Sequence, residues 1–268
     1  MPATSILERL AVRVVGEGPR VVVLAHGFGS TQTAWDGQVA ALAPRCRLVL
    51  FDHLGCGKAA DGYDPDRYDA LDAYARDLLA IHAALGLEWD VYVGHSAAGM
   101  IGVLASLARP DLFDRLVLLG ASPRYLDDTG YVGGFTRGDL DALYRAMARD
   151  YLGWANGFGP VAMGNPGRPS LGAAFAQSLG GMRPDVAQSV ARAIFESDFR
   201  SRLGEVQVPT LVLQSRNDVA VPMEVGTYLA RHIPRSRLRV LDAEGHFPHV
   251  SAPEQVNGAL VEELALVA

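Results

Sequence analysis

Short apolar runs recur along the chain and alternate with longer segments in which apolar and polar positions mix. The runs predict seven strands, at residues 10–15, 20–25, 47–51, 91–93, 116–119, 210–213 and 238–241. The last five runs are almost continuously apolar, which is typical of strands that are buried on both faces. Turn-forming glycine and proline at residues 16–19 separate the first two runs.

The segments between the runs have the periodicity of amphipathic helices. The clearest covers residues 68–85, where apolar side chains recur at steps of three and four at Leu71, Tyr74, Leu78, Ile81 and Leu85. Buried strands that alternate with helices predict a mostly parallel central sheet flanked by helices, which is an α/β fold.

One connection is much longer than a single crossover helix requires. The runs at 116–119 and 210–213 are about ninety residues apart, whereas a crossover with its loops needs roughly 20 to 30. The excess contains helical patterns at 139–152 and 184–195 and a Gly/Pro-rich break at 157–172. We predict a core of residues 1–121 and 200–268, with residues 122–199 as a helical lid where ligands bind in open α/β sheets. The alternative is a peripheral insertion without a role at the site.

Composition and charge narrow the function classes. The chain has 268 residues, 49% of them hydrophobic, and a formal net charge of −6 with its basic residues scattered. This argues against nucleic acid and membranes as partners. Residues 1–10 do not resemble a signal peptide, and two cysteines without ligand spacing indicate neither a disulfide framework nor a metal site. We expect a cytoplasmic protein without a metal or cofactor.

Candidate chemistry begins at Ser96, in the sequence GHSAAG at residues 94–99. A buried strand precedes it and a helical pattern follows, which is the context of a nucleophile elbow. The residues two before and two after the serine must be small, so that strand and helix can approach each other. Gly94 meets this condition, and Ala98 exceeds the usual glycine by one methyl group. The alternative is an ordinary serine N-cap.

Two further residues supply what a serine nucleophile needs. Asp218 follows the strand at 210–213, and His246 follows the strand at 238–241. Both lie beyond the carboxyl ends of parallel strands, as Ser96 does, so we expect all three at one edge of the sheet. Their order along the chain, Ser, Asp, His, is that of hydrolases with a nucleophile elbow. We predict Ser96 as nucleophile, His246 as base and Asp218 as the acid that orients it.

Other acidic residues could take the place of Asp218. Asp127 and Asp128 lie after the strand at 116–119, a position that some hydrolases use for the acid. Asp242 and Glu244 lie close to His246 along the chain, but they more plausibly shape its loop.

Three other chemically suggestive residues have structural interpretations. We expect His95 to be a hydrogen-bonded core histidine, because it points away from the neighbouring nucleophile. His249 falls in a turn before a helix. Cys56 has only Lys58 as a basic neighbour in sequence, which favours a buried structural thiol over a reactive one.

The segment HGFG at residues 26–29 follows the strand at 20–25. A loop at this position can direct a backbone N–H towards a developing oxyanion. We predict that the N–H groups of Phe28 and Ala97 form the oxyanion hole, with the Phe28 ring at the pocket floor. A plain turn between strand and helix is the alternative.

Further segments support a more specific resemblance, which covers nearly the whole chain. They are SIL at 5–7, FDH at 51–53, DRY at 66–68, LDAYA at 71–75, MIGVLAS at 100–106, ASPRY at 121–125, GGF at 133–135, DVA at 185–187 and ESD at 196–198. With the motifs above, they resemble the RsbQ-like α/β hydrolases, which comprise bacterial stress-response regulators and the related plant strigolactone and karrikin receptor-hydrolases.

The resemblance implies an α/β-hydrolase fold whose lid is a V-shaped set of four helices between the sixth and seventh core strands. It also implies a small hydrophobic pocket, lined by Phe28, Tyr125, Phe135, Trp154, Phe158, Phe195, Val219 and Phe247. Packing within the lid is the alternative role for each of these side chains.

The resemblance further implies hydrolysis of a small hydrophobic ester or lactone without a cofactor. Some family members instead act as ligand sensors with a regulatory protein partner, such as a PAS-domain phosphatase. A C–C bond hydrolase or a cofactor-free peroxidase would share the fold, but nothing in the predicted lid supports either.

Overall fold

The computed structural model describes residues 4–265, and its centre is a seven-stranded sheet. The strands in this part of the chain are β1 (Arg13–Val15), β2 (Arg20–Ala25), β3 (Cys46–Leu50), β4 (Asp90–His95), β5 (Phe113–Leu119), β6 (Thr210–Asn217) and β7 (Ser236–Glu244). Their order is β1-β3-β2-β4-β5-β6-β7, and every neighbouring pair is parallel except β1 with β3. The predicted α/β fold with a mostly parallel sheet is confirmed.

Helices connect the strands and cover the sheet. They are α1 (Ile6–Arg9), α2 (Asp36–Leu42), α3 (Leu71–Leu85), α4 (Ala97–Ala108), α5 (Arg137–Arg149), α6 (Tyr151–Met163), α7 (Pro169–Gly180), α8 (Pro184–Phe195), α9 (Met223–His232), α10 (Pro248–Ser251) and α11 (Pro253–Glu263). Short 3₁₀ turns lie at Gln32–Trp35, Gly57–Ala59, Pro110–Leu112 and Arg200–Glu205. None of the helices in residues 4–265 has the length and apolar character needed to cross a lipid bilayer.

The central strands are buried on both faces. In β4, Tyr92 belongs to one hydrophobic cluster, whereas Val91 and Val93 belong to the other. Because side chains alternate across a strand, each face of the sheet packs on its own layer of helices. Polar side chains needed at a surface can therefore emerge only at the strand ends.

Two predicted strands differ from the structure. The first begins at Arg13 rather than at residue 10, because α1 ends at Arg9 and Ala11 takes a left-handed conformation with φ 48°. The last, β7, is not buried on both faces. It is the edge strand, and Val240 is 42% exposed. The ends of the predicted core, residues 1–3 and 266–268, lie outside the described residues.

Four helices, α5 to α8, lie between β5 and β6. We call residues 122–199 the helical insertion. The predicted position between the sixth and seventh strands is wrong by one, because only five strands precede the insertion in the described sheet. Within the insertion α6 packs on α7, and α5 packs on α6 and α8.

The predicted Gly/Pro-rich break at 157–172 is also wrong in part, since α6 continues to Met163. Its small residues serve close packing of two helices. A Cβ on Gly159 would lie 2.7 Å from Ala176 Cβ, and one on Gly172 would lie 2.8 Å from Pro160 Cα. These glycines therefore permit contact between α6 and α7 that larger side chains would prevent.

Candidate active site

Ser96 occupies a sharp turn between β4 and α4. Its backbone angles are φ 56° and ψ −125°, a conformation that residues with a side chain rarely adopt. The strand fixes the residues before it, and α4 begins at Ala97 immediately after it. The side chain is thereby held at the carboxyl end of the central strand.

The packing around this turn explains which positions must be small. A Cβ on Gly94 would lie 2.5 Å from the backbone oxygen of Ala98, so strand and helix meet closely there. The methyl group of Ala98 is fully buried without disturbing the turn. The second close approach falls at Gly99, whose Cβ would overlap that of Ala121. Glycine is thus required one residue later than the common motif suggests.

The three predicted residues Ser96, His246 and Asp218 form a continuous hydrogen-bonded row. Ser96 Oγ lies 2.8 Å from His246 Nε2, and His246 Nδ1 lies 2.8 Å from Asp218 Oδ2. A neutral imidazole with its proton on Nδ1 donates to the carboxylate and accepts from the serine hydroxyl. Both Ser96 and His246 are only 6% exposed. The row has the arrangement that activates a serine nucleophile.

Asp218 is held in place by the loop after β6. Its Oδ1 accepts hydrogen bonds from the backbone N–H groups of Ala220, at 2.9 Å, and Val221, at 3.0 Å. Its side chain is fully buried. These bonds leave Oδ2 free to face His246, so the orientation of the carboxylate is fixed before any substrate binds.

The alternative acids are engaged elsewhere. Asp127 accepts from the backbone N–H groups of residues 133 and 134, and Asp128 pairs with Arg200. Asp242 of β7 pairs with Arg216 of β6, and Glu244 accepts from Asn217. Within residues 4–265, no cluster of three or more His, Cys, Asp or Glu is placed to hold a metal ion.

His95 and His249 are buried behind the row. The Nε2–H of His95 donates to the backbone oxygen of His246 at 2.7 Å, as expected for a hydrogen-bonded core histidine. Its ring lies 4.4 Å from that of His249, measured between centroids. Burial lowers the pKa of His95, and it lowers the pKa of His249 to about 3, so both rings are neutral at ordinary pH.

Cys56 is a buried thiol, 3% exposed. Burial raises its pKa to about 12, and the nearby Asp52 carboxylate adds to the effect. A thiol of this kind is not a nucleophile at neutral pH.

The predicted oxyanion donors flank Ser96. Ala97 is the first residue of α4, where backbone N–H groups have no partner within the helix. The loop that carries Phe28 passes directly over the serine, since a Cβ on Gly27 would lie 3.0 Å from Ser96 Cβ. Both segments therefore border the point where a substrate carbonyl would meet Ser96 Oγ.

Tyr125 has a closer relation to Ser96 than its predicted place in the pocket lining implied. Its hydroxyl lies 3.2 Å from Ser96 Oγ. Burial raises the pKa of this phenol, so it stays protonated and can donate a hydrogen bond. The signal in the sequence was its position shortly after β5, the strand next to β4.

A narrow, mainly apolar cavity lies over the row of Ser96 and His246. Five predicted lining residues border it: Phe28, Tyr125, Phe158, Phe195 and Phe247. Two others, Phe135 and Trp154, are absent from the wall and support it from behind. The ring of Phe135 packs on Phe195, and that of Trp154 stacks on Phe158.

The prediction that Val219, the eighth of these residues, lines the pocket is wrong. Val219 is 55% exposed, because the turn that caps Asp218 directs the next side chain inward instead. Ala220 therefore borders the cavity. Sequence reasoning also missed Phe175 and Ile194, which reach the cavity from α7 and α8.

Residues 20–253 match the sequence profile of the alpha/beta hydrolase fold family. The chain belongs to this family. The match spans strands β2 to β7, the turn at Ser96 and the segments that carry Asp218 and His246.

The chain is 44% identical to the strigolactone esterase D14 of Arabidopsis thaliana over 258 residues, 96% of each chain. It is 43% identical to the karrikin insensitive 2 receptor CA of Petunia hybrida over 255 residues, 94% of each chain. Among solved structures, a hydrolase from Oleispira antarctica superposes with a TM-score of 0.94 at 33% identity, covering 97% of this chain and 96% of that one. The predicted similarity to the plant receptor-hydrolases is confirmed, while the link to the bacterial stress-response regulators stays a prediction.

Proposed function

We propose that the protein hydrolyses a small hydrophobic ester or lactone, with Ser96 as nucleophile, His246 as base and Asp218 as the orienting acid. The observation that carries the proposal is the hydrogen-bonded row of these three side chains, which starts at a serine in a strained turn. An ordinary N-cap serine has no need of either feature.

The geometry suggests the following steps. As Ser96 Oγ attacks the carbonyl carbon, its proton passes to His246 Nε2, and Asp218 stabilises the imidazolium that forms. The N–H groups of Phe28 and Ala97 hold the oxyanion, with each donor contributing roughly 3 to 4 kcal/mol. His246 then protonates the leaving alcohol. A water molecule, deprotonated by the same imidazole, releases the acyl group as a carboxylic acid.

The cavity supports a small apolar substrate. Aromatic rings dominate its wall, and the hydroxyl and imidazole groups at its base converge on Ser96. We propose that the helical insertion acts as a lid over the cavity, because Phe158, Phe175 and Phe195 belong to its helices and line the cavity.

Replacement of Ser96 tests the assignment. We expect Ser96→Ala to lower kcat for p-nitrophenyl butyrate and for a fluorogenic butenolide by at least about 10³-fold, because no other group supplies the attacking oxygen. The matched control is Ser106→Ala in α4, where the hydroxyl bonds only to Val103 O. Turnover by Ser96→Ala at the parent rate would contradict the proposal.

A second candidate is a ligand receptor in which hydrolysis is slow and a partner protein, such as a PAS-domain phosphatase, reads the state of the lid. A relative that is named a receptor supports it. Pre-steady-state kinetics separates the two. Sustained multiple turnover favours the enzyme, whereas one stoichiometric burst followed by a stall, with a rise in Tm, favours the receptor.

A further inference from the structure

The backbone around His246 is bonded to the helical insertion as well as to the core. The N–H of His246 donates to the backbone oxygen of Ala162, in the last turn of α6, at 2.9 Å. The preceding residue, Gly245, donates its N–H to Asn217 O at 2.7 Å. The backbone at the residue proposed as the base is thus bonded to the insertion on one side and to the end of β6 on the other.

Asn165, two residues beyond α6, connects the helical insertion to the end of β7 through its side chain. Its Nδ2 group donates to Met163 O at 2.7 Å and to Glu244 O at 3.0 Å. We call these two bonds the Asn165 clamp. The Oδ1 atom of Asn165 accepts a hydrogen bond from Arg168 at 2.6 Å. Because arginine can only donate, this contact identifies which end of the Asn165 amide is the oxygen and which is the Nδ2 group.

The two backbones meet without room for side chains. Gly164, which ends α6, and Gly245 both have positive φ, 65° and 81°. A Cβ on Gly164 would lie 2.7 Å from Gly245 Cα, and a Cβ on Gly245 would overlap Met163 O. A displacement of α6 would therefore be transmitted directly to the residue before His246.

We propose that Asn165 is a positioning residue for the reaction: the Asn165 clamp holds the His246 loop against the end of α6, so that proton transfer from Ser96 depends on the position of the helical insertion. The inference rests on the proposed function, in which His246 is the base. Among side chains of residues 4–265, the other donor to Glu244 O is the Ser251 hydroxyl, at the long distance of 3.4 Å.

Loss of the clamp should affect chemistry more than binding, because Asn165 does not border the cavity. We expect Asn165→Ala to lower kcat for p-nitrophenyl butyrate about tenfold and to change KM less than about twofold. We also expect the downfield proton NMR signal of the His246 Nδ1–H that bonds to Asp218 to broaden. Asn165→Asp, which keeps the shape but lacks the donor, should behave in the same way.

Asn257→Ala is the matched control. It removes another asparagine amide that donates to a backbone oxygen, Gly37 O at 3.3 Å, but this bond joins α11 to α2 and does not involve the helical insertion. We expect it to keep both kcat and the NMR signal, and we expect Asn165→Gln, which retains the amide, to recover part of the lost rate.

A kcat within twofold of the parent in Asn165→Ala and Asn165→Asp, with a sharp signal in both, would overturn the inference. If the proposed function itself fails, the parent will show no turnover that depends on Ser96. The NMR signal will still report whether Asn165 positions His246. Should Asn165→Ala fail to fold, the isosteric Asn165→Asp carries the test.

Discussion

The strained conformation of Ser96 is the main feature of the protein at the scale of a single residue. A non-glycine residue in such a region costs of the order of 1–3 kcal/mol, so the surrounding packing must enforce it. That packing consists of close contact between β4 and the first turn of α4, which Gly94 permits.

We therefore expect Gly94→Ala to destabilise the fold by about 1–3 kcal/mol or more, because its methyl group would meet backbone atoms that cannot move independently. Ester turnover should fall as well, since the turn would shift. Urea unfolding monitored by tryptophan fluorescence gives the free energy of unfolding, and a p-nitrophenyl butyrate assay gives the turnover.

The control is the same substitution at Gly157, an exposed residue inside α6 with open space where a Cβ would be. There alanine should stabilise the protein by about 0.5–1 kcal/mol, because it reduces the backbone freedom of the unfolded chain. Equal free energies of unfolding for Gly94→Ala and the parent would contradict this account of the turn.

At this scale, the sequence predicts which residues come together where each of them lies at a strand end. Ser96, Asp218 and His246 each follow a recognisable strand, and parallel strands bring their carboxyl ends together. That Ala220, and not Val219, borders the cavity could not be predicted in this way. Which of two neighbours faces a cavity depends on the hydrogen bonds of one turn, and these leave no pattern in the sequence.

At the scale of elements, the pair α6 and α7 shows why the interior of the insertion was hard to predict. The glycine and proline residues at 157–172 predict breaks, since both residue types disfavour an isolated helix. In the folded chain, the contact at Gly159 and Gly172 favours the helical form. Tertiary packing thus outweighed local propensity.

A second element-scale feature links α3 to β4 through a buried ion pair. His82 Nδ1 lies 2.9 Å from Leu78 O, and Nε2 lies 2.7 Å from Asp90 Oδ2. Burial opposes a charge on the imidazole, but the Asp90 carboxylate outweighs it and raises the pKa of His82. Burial also raises the pKa of Asp90, so this carboxyl group loses its proton at a higher pH than an ordinary aspartate does.

The sign of the resulting pH dependence follows from the raised pKa of His82. Its contribution to stability is complete below about pH 6.5, the ordinary pKa of histidine, and is lost as the pH rises through the folded-state pKa. We expect Tm to fall as the pH rises above about 6.5. A change of about 1 kcal/mol corresponds to about 2–4 °C, which thermal scans monitored by circular dichroism resolve.

Asp90→Asn should remove this decline, because a neutral amide does not stabilise the imidazolium. His232→Gln, at an exposed histidine that bonds to Tyr228 O, should retain it. A parent Tm that is flat over this pH range, or an unchanged slope in Asp90→Asn, would disprove the assignment.

At the scale of the whole molecule, the sheet and the order of chemistry along the chain were predictable, because buried parallel strands have a strong apolar signature. The length of the connection and the family resemblance predict a helical insertion, but neither predicts which of its residues contact the core. Its contacts with the core, such as Ala162 O with the N–H of His246, join residues far apart in sequence. No local pattern encodes such pairs, so the sequence alone does not predict the Asn165 clamp.

The burial of both cysteines gives the molecule a practical property. Cys46 is fully buried and Cys56 is 3% exposed, and burial raises the pKa of both thiols. We expect a maleimide reagent to leave the native parent unmodified at neutral pH, as mass spectrometry would show, and to add once to Leu152→Cys on the exposed face of α6, where Leu152 is 59% exposed. An adduct on the native parent would contradict this expectation.

The chain therefore needs no cysteine removal before site-specific labelling. A fluorophore placed on α6 would report its distance from the core in real time. The same thiols that take no part in the proposed chemistry make it possible to observe whether the insertion opens during each turnover.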